Sequence, residues 1–115
     1  MPKAPQSVNL EEGLPSREQA YAKLDAALEQ ARKNGVRVLK VIHGYGSTGK
    51  GGVLRFAVRG YLRRRKDKRE IAIFVSGEDW SKFEERSREL LARAPELASD
   101  QDLGRKNKGI TLVLL

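Results

Sequence analysis

The 115-residue chain carries 23 Lys and Arg against 15 Asp and Glu, a single His and no Cys. That length supports one domain with one core, the lack of Cys excludes disulfides and thiolate metal sites, and no apolar run approaches membrane length. The net charge of +8 is unevenly placed: residues 32–69 hold thirteen Lys or Arg and one acid, Asp67, whereas residues 78–102 hold eight acids and four bases. Such polarity is the electrostatic footprint of a nucleic-acid binder. With no secretory leader or membrane partner in the pattern, a soluble cytoplasmic protein is expected.

Residues 1–7 contain two of the four prolines and lack periodicity, so they read as a tail before a domain of residues 8–115. Val8, Asn9 and Leu10 suggest a short first strand ending at Glu11-Glu12-Gly13. Ser16 and Gln19 have capping-box spacing. Behind them Ala20, Leu24, Ala27, Leu28 and Ala31 recur on one helical face, which Asn34-Gly35 brings to a stop. Val36 to Ile42 predicts a second strand, and residues 52–64 a second helix with Leu54, Val58, Tyr61 and Leu62 as its core stripe. Ile71 to Val75 is β-branched and aromatic, a third strand.

A third helix is expected from Trp80 to Ala94, capped by Asp79 or Ser81, with Phe83, Ser87, Leu90, Leu91 and Ala94 inward and Pro95 beyond its end. Trp80 would anchor its start. Residues 96–109 read as a loop, and Ile110 to Leu115 as a last strand. The order β-α-β-α-β-α-β predicts an α/β fold, a two-layer sandwich on a mostly parallel four-stranded sheet.

Between the second strand and second helix lies His43-Gly44-Tyr45-Gly46-Ser47-Thr48-Gly49-Lys50-Gly51-Gly52-Val53-Leu54-Arg55, with five glycines. Glycine leaves main-chain N–H groups uncovered, and at a helix N-terminus such a loop suits an anion, above all phosphate. One reading is a nucleotide P-loop, through Gly44-x-x-x-x-Gly49-Lys50. Against it, Gly51 stands where a Ser or Thr hydroxyl would hold Mg²⁺. A second reading is a turn that lets the helix pack closely on the sheet.

The third reading is a family resemblance. His43-Gly44-Tyr45-Gly46, the Gly-rich stretch and Val53-Leu54-Arg55 resemble the HGxG…LR signature of the small MutS-related (Smr) domain. Val36 to Ile42 is similar to that family's strand before the loop, Ser16 to Gly35 to its first helix, and Gly109 to Leu115 to its closing strand. The resemblance implies a sandwich similar to the C-terminal domain of translation initiation factor three that binds DNA or RNA, with nicking by some members. The family's second signature, LDxH or LDxR on the first strand, has no intact counterpart. Either Val8-Asn9-Leu10-Glu11 occupies it, with Asn9 for the aspartate and Glu11 for the basic residue, or Leu10-Glu11-Glu12-Gly13 does, with Glu11 and Gly13 in those places. The segment from Ser76 to Lys108 is longer than the family's usual one and carries an extra helix.

The candidate site follows. Phosphates would meet Gly44, Tyr45, Gly46, Ser47, Lys50, Gly51 and Gly52 of the loop, then Arg55, Arg59 and Arg63, which stand four apart on one helical ridge. Tyr45 would stack on an unpaired base or pack over the loop. His43, at the carboxyl end of a strand, is either a general acid–base or a structural histidine. Glu11 and Glu12 would hold Mg²⁺ or Mn²⁺ beside it in a nicking site. Arg105-Lys106-Asn107-Lys108 forms a second basic patch whose relation to the first depends on the fold. The expected function is DNA or RNA binding, with weak metal-assisted nicking as an added activity. A protein-interaction module and a nucleotide-phosphate binder are the competing classes.

Overall fold

Ser16 accepts a hydrogen bond from the Gln19 amide at 3.2 Å and the Gln19 side chain accepts one from the Ser16 amide at 2.8 Å, closing the capping box that the spacing predicted. The helix it starts, α1 (Arg17–Lys33), buries Ala20, Leu24, Leu28 and Ala31. The computed structural model describes residues 3–13, 16–44 and 51–115. Around α1 stand β1 (Gln6–Asn9), β2 (Val38–Ile42), α2 (Gly51–Asp67), β3 (Ile73–Ser76), α3 (Glu85–Arg93) and β4 (Ile110–Leu114), with 3-10 turns at Gly77–Asp79 and Pro95–Ser99. β1 begins at Gln6, so the last two residues of the anticipated tail pair with β2. No helix among the described residues is long and apolar enough to cross a membrane.

The sheet order is β1-β2-β4-β3. β1 runs parallel to β2, while β4 runs antiparallel to both β2 and β3. The sheet is therefore mixed and mostly antiparallel, which corrects the expected mostly parallel arrangement. The reason lies in the last connection. Ile110 pairs with Ile42 and Thr111 with Ser76, so the chain re-enters the sheet at the end where β3 left it. A helix between two strands makes a parallel crossover only when it carries the chain across the sheet, and α3 does not.

Alternation along the strands divides the core into two faces. Leu39, Val41, Phe74 and Val113 pack with Leu24 and Leu28 of α1 and Val58 and Leu62 of α2. Val38, Ile73, Val75, Leu112 and Leu114 pack on the opposite face with Trp80, Leu90, Ala94 and Leu97. Helices thus cover both faces, where the sequence suggested a single helical layer. The second face also buries a polar cluster: Lys40 Nζ meets Asp100 at 3.0 Å and Asp102, and Trp80 Nε1 donates to Asp100 at 3.0 Å. Burial works against the Lys40 charge, but hydrogen bonds to Asp102 and Asp100 outweigh it and leave the ammonium harder to deprotonate.

α3 starts later than the periodicity suggested. The 3-10 turn Gly77–Asp79 and the fully buried Trp80 draw the chain inward, and only then does Glu84 cap the helix by accepting from the Ser87 amide at 2.9 Å. Phe83, expected in the core, is consequently 91% exposed.

Candidate functional site

His43 follows β2 directly and is fully buried. Its amide and that of Gly44 both donate to the Gly109 carbonyl, at 2.9 and 3.1 Å. The Gly44 carbonyl, 2.7 Å from Nδ1, only accepts, so Nδ1 carries the ring proton. Nε2 then accepts from the Thr111 hydroxyl at 2.9 Å, and that hydroxyl accepts from Arg59 Nε at 3.3 Å. Arg59 in turn forks onto Glu78 at 2.9 and 2.7 Å and reaches the Ile110 and Lys108 carbonyls at 3.3 and 3.4 Å.

Burial pushes His43 down to about 4; the Gly44 carbonyl opposes this, and the Arg59 and Arg55 charges reinforce it. Glu78 stays ionised, because its bonds to Arg59 outweigh the burial that would raise it. The imidazole is therefore neutral near pH 7, with both nitrogens engaged and no surface to offer a substrate. Of the two readings of His43, general acid–base and structural histidine, these contacts match the second.

Asn9 ends β1 opposite Ile42, and its side-chain oxygen accepts from the Glu11 amide at 2.9 Å. The Leu10 amide donates to the Ile42 carbonyl at 2.8 Å, which carries Glu11 alongside Gly44. Gly44 has φ of 75°, and a Cβ there would overlap the Glu11 carboxylate. Only glycine adopts that backbone without strain. Glu12 turns away to Lys23 of α1 at 3.8 Å. The expected catalytic trio thus divides: His43 and Glu11 meet at Gly44 and Glu12 does not. β1 stops at Asn9, so only the Val8–Glu11 placement of the second signature lies partly on the first strand.

Among the described residues no three His, Cys, Asp or Glu converge as metal ligands. With both His43 nitrogens occupied and Glu12 paired elsewhere, the described residues do not fit the Mg²⁺ or Mn²⁺ site expected from the sequence. The Gly44 amide, expected to meet phosphate, donates to the Gly109 carbonyl. Tyr45, Gly46, Ser47 and Lys50 lie outside the described residues, and Gly51 and Gly52 open α2.

The three arginines of the ridge differ in their surroundings. Arg59, expected as a phosphate contact, has a side chain only 13% exposed and is paired with Glu78. Arg55 is half-buried, lies 4.4 Å over the Phe56 ring, and has a buried Nε without a hydrogen-bond partner among the described residues. Arg63 is exposed, as is Arg64 beside it. Arg65 instead turns to Asp25 and Glu70.

The second basic patch joins this edge of the sheet. Gly109 links it to His43 and Gly44, and the Lys108 carbonyl meets Arg59 of α2. Asn107 holds the turn by donating to Asp102 at 3.1 Å and accepting from the Gly109 amide at 2.9 Å. Gln101, Asp102, Arg105, Lys106, Asn107 and Lys108 line a cleft of about 760 Å³ there. Sequence reasoning missed Thr111 and Glu78 as partners of the loop. Thr111 left a signal, as the lone hydroxyl in the apolar run Ile110 to Leu115.

These features define a small α/β domain in which a histidine-glycine turn leads from a buried strand to a basic helix. The Smr domain family model matches residues 13–81, more than half of the chain, and the chain belongs to that family. The crystal structure of the Smr domain of Thermus thermophilus MutS2 is similar over 96% of each chain, with 28% sequence identity and a TM-score of 0.59. Comparison with curated proteins yields no significant match. The matched segment begins after β1, so Glu11, β4 and the 105–108 turn lie outside it.

Proposed function

We propose that this Smr domain binds DNA or RNA through the phosphate backbone at the carboxyl end of β2, and that it acts by binding rather than by cutting. The carrying observation is the Gly109 carbonyl, which accepts from both His43 and Gly44 and so sets residues 105–108 beside the end of β2, where the Lys108 carbonyl meets Arg59 of α2. Two basic segments far apart in the chain thereby share one edge. Arg55, Arg105, Lys106 and Lys108 are the cations this reading assigns to phosphate; contacts of that kind position a nucleic acid without reading its sequence. The burial of His43, with both ring nitrogens already engaged, supports binding over hydrolysis.

Fluorescence anisotropy with labelled DNA and RNA across a salt series tests the reading. For about three to five neutralised phosphates, the logarithm of affinity should fall against that of salt with a slope of roughly −2 to −4.5. Affinity independent of salt would overturn the electrostatic mechanism. Supercoiled plasmid with Mg²⁺ or Mn²⁺ should stay closed; nicks made by the wild type and lost in His43→Asn would overturn the binding-only role.

A further inference from the structure

The outer face of α2 carries an apolar pair that the core does not use. Val53 is 60% exposed and Phe56 is 65% exposed, three residues apart and so on one face. A large aromatic ring left in water forgoes the burial that ordinarily places it inside. Its surroundings are equally particular. The Arg55 guanidinium lies 4.4 Å over the ring centroid and holds one face of it. One turn further along the same face comes Gly60, which has no side chain; an added Cβ there would find only Arg64 Nη1, at 3.8 Å. The next turn brings the exposed Arg63 and Arg64, about 10 Å along the axis from Phe56. Neither arginine has an acidic partner among the described residues, unlike Arg59 and Arg65 on the same helix.

We infer that Phe56, the bare turn at Gly60 and the Arg63–Arg64 pair form a seat for an unpaired base, which makes single-stranded nucleic acid the preferred partner. This deepens the nucleic-acid reading and rests on it. Stacking on an aromatic ring requires a base whose face is open, which a continuous duplex does not supply. Charge complementarity selects the occupant: an exposed ring with Arg55 against it, and Arg63 and Arg64 further along the helix without acidic partners among the described residues, suits a flat base attached to an anionic backbone. Arg55 fixes the ring's orientation in advance, and Gly60 leaves room for the base plane beside it.

The test uses the full chain, a labelled 12-nucleotide oligo(dT) and a labelled 12-base-pair blunt duplex, with wild type, Phe56→Ala, Phe56→Trp and Arg63→Glu/Arg64→Glu. Melting curves verify that each variant folds, as the exposure of these positions predicts. Wild type should favour oligo(dT). Phe56→Ala should weaken that binding about tenfold while duplex affinity stays within about twofold, and Phe56→Trp should restore it. The double arginine variant should weaken both complexes.

Unchanged oligo(dT) affinity in Phe56→Ala, or equal losses on both nucleic acids, would overturn the seat while leaving the nucleic-acid reading in place. Sedimentation showing that Phe56→Ala dissociates a dimer without altering DNA affinity would reassign the face to a second copy of this chain. Wild type that binds neither oligonucleotide would overturn the broader reading and the seat together.

Discussion

His43 is held as a neutral base in a line of hydrogen bonds from Glu78 through Arg59 and Thr111 to Gly44. Burial holds its pKa down to about 4 in the folded state, against 6.5 for the unfolded chain. The unfolded chain therefore takes up the proton first as pH falls. The stabilisation is complete above about pH 6.5 and declines towards pH 4, by about 3 kcal/mol in all. Urea unfolding should show a loss of about 2 kcal/mol between pH 7 and pH 5, and His43→Gln should flatten that dependence. An equal pH slope in the variant would mean that other groups carry it. The histidine-glycine pair was legible from its neighbours in the sequence. Its burial was not, because the Thr111 hydroxyl that satisfies the ring arrives 68 residues later.

For whole elements, spacing locates residues on a helix but not what faces them. Arg55, Arg59 and Arg63 share a ridge by periodicity, yet β4 and the Gly77–Asp79 turn reach only Arg59 and convert it into a clamp between α2 and the sheet. Glu78→Gln should destabilise the domain by about 1–3 kcal/mol in denaturant titrations, since Arg59 is left largely buried without its counter-charge. Arg59→Met combined with Glu78→Leu should recover much of that loss. A Glu78→Gln variant as stable as wild type would show that water replaces the carboxylate at no cost. α1 was legible in full because its stop and start signals are local. The start of α3 was not, because the burial of Trp80 and its bond to Asp100 decide where the chain turns outward, and that leaves Phe83 in solvent.

Across the molecule, the charge asymmetry read from composition becomes spatial only through the sheet. Segment 105–108 meets α2 because β4 inserts between β2 and β3. Arg105→Glu with Lys108→Glu should weaken nucleic-acid binding and reduce the magnitude of the salt slope by about 1 to 2, with little change in melting temperature. An unaltered slope would separate this patch from the interface. Strand and helix order predicted the α/β class, but strand direction depends on which end of the sheet each connection reaches, and helix counting is blind to that.

The central position of β4 also sets the order in which a nascent chain can become a domain. β1, α1, β2 and α2 can associate as soon as they are made, but β3 has no neighbour in the sheet until residues 110–114 leave the ribosome. Throughout that interval the apolar edges of β2 and β3 stand open, with Ile73, Phe74 and Val75 unshielded by β4. Docking of β4 is therefore the step that joins two half-built pieces, and a chain cut before residue 110 should leave both strand edges open and aggregate.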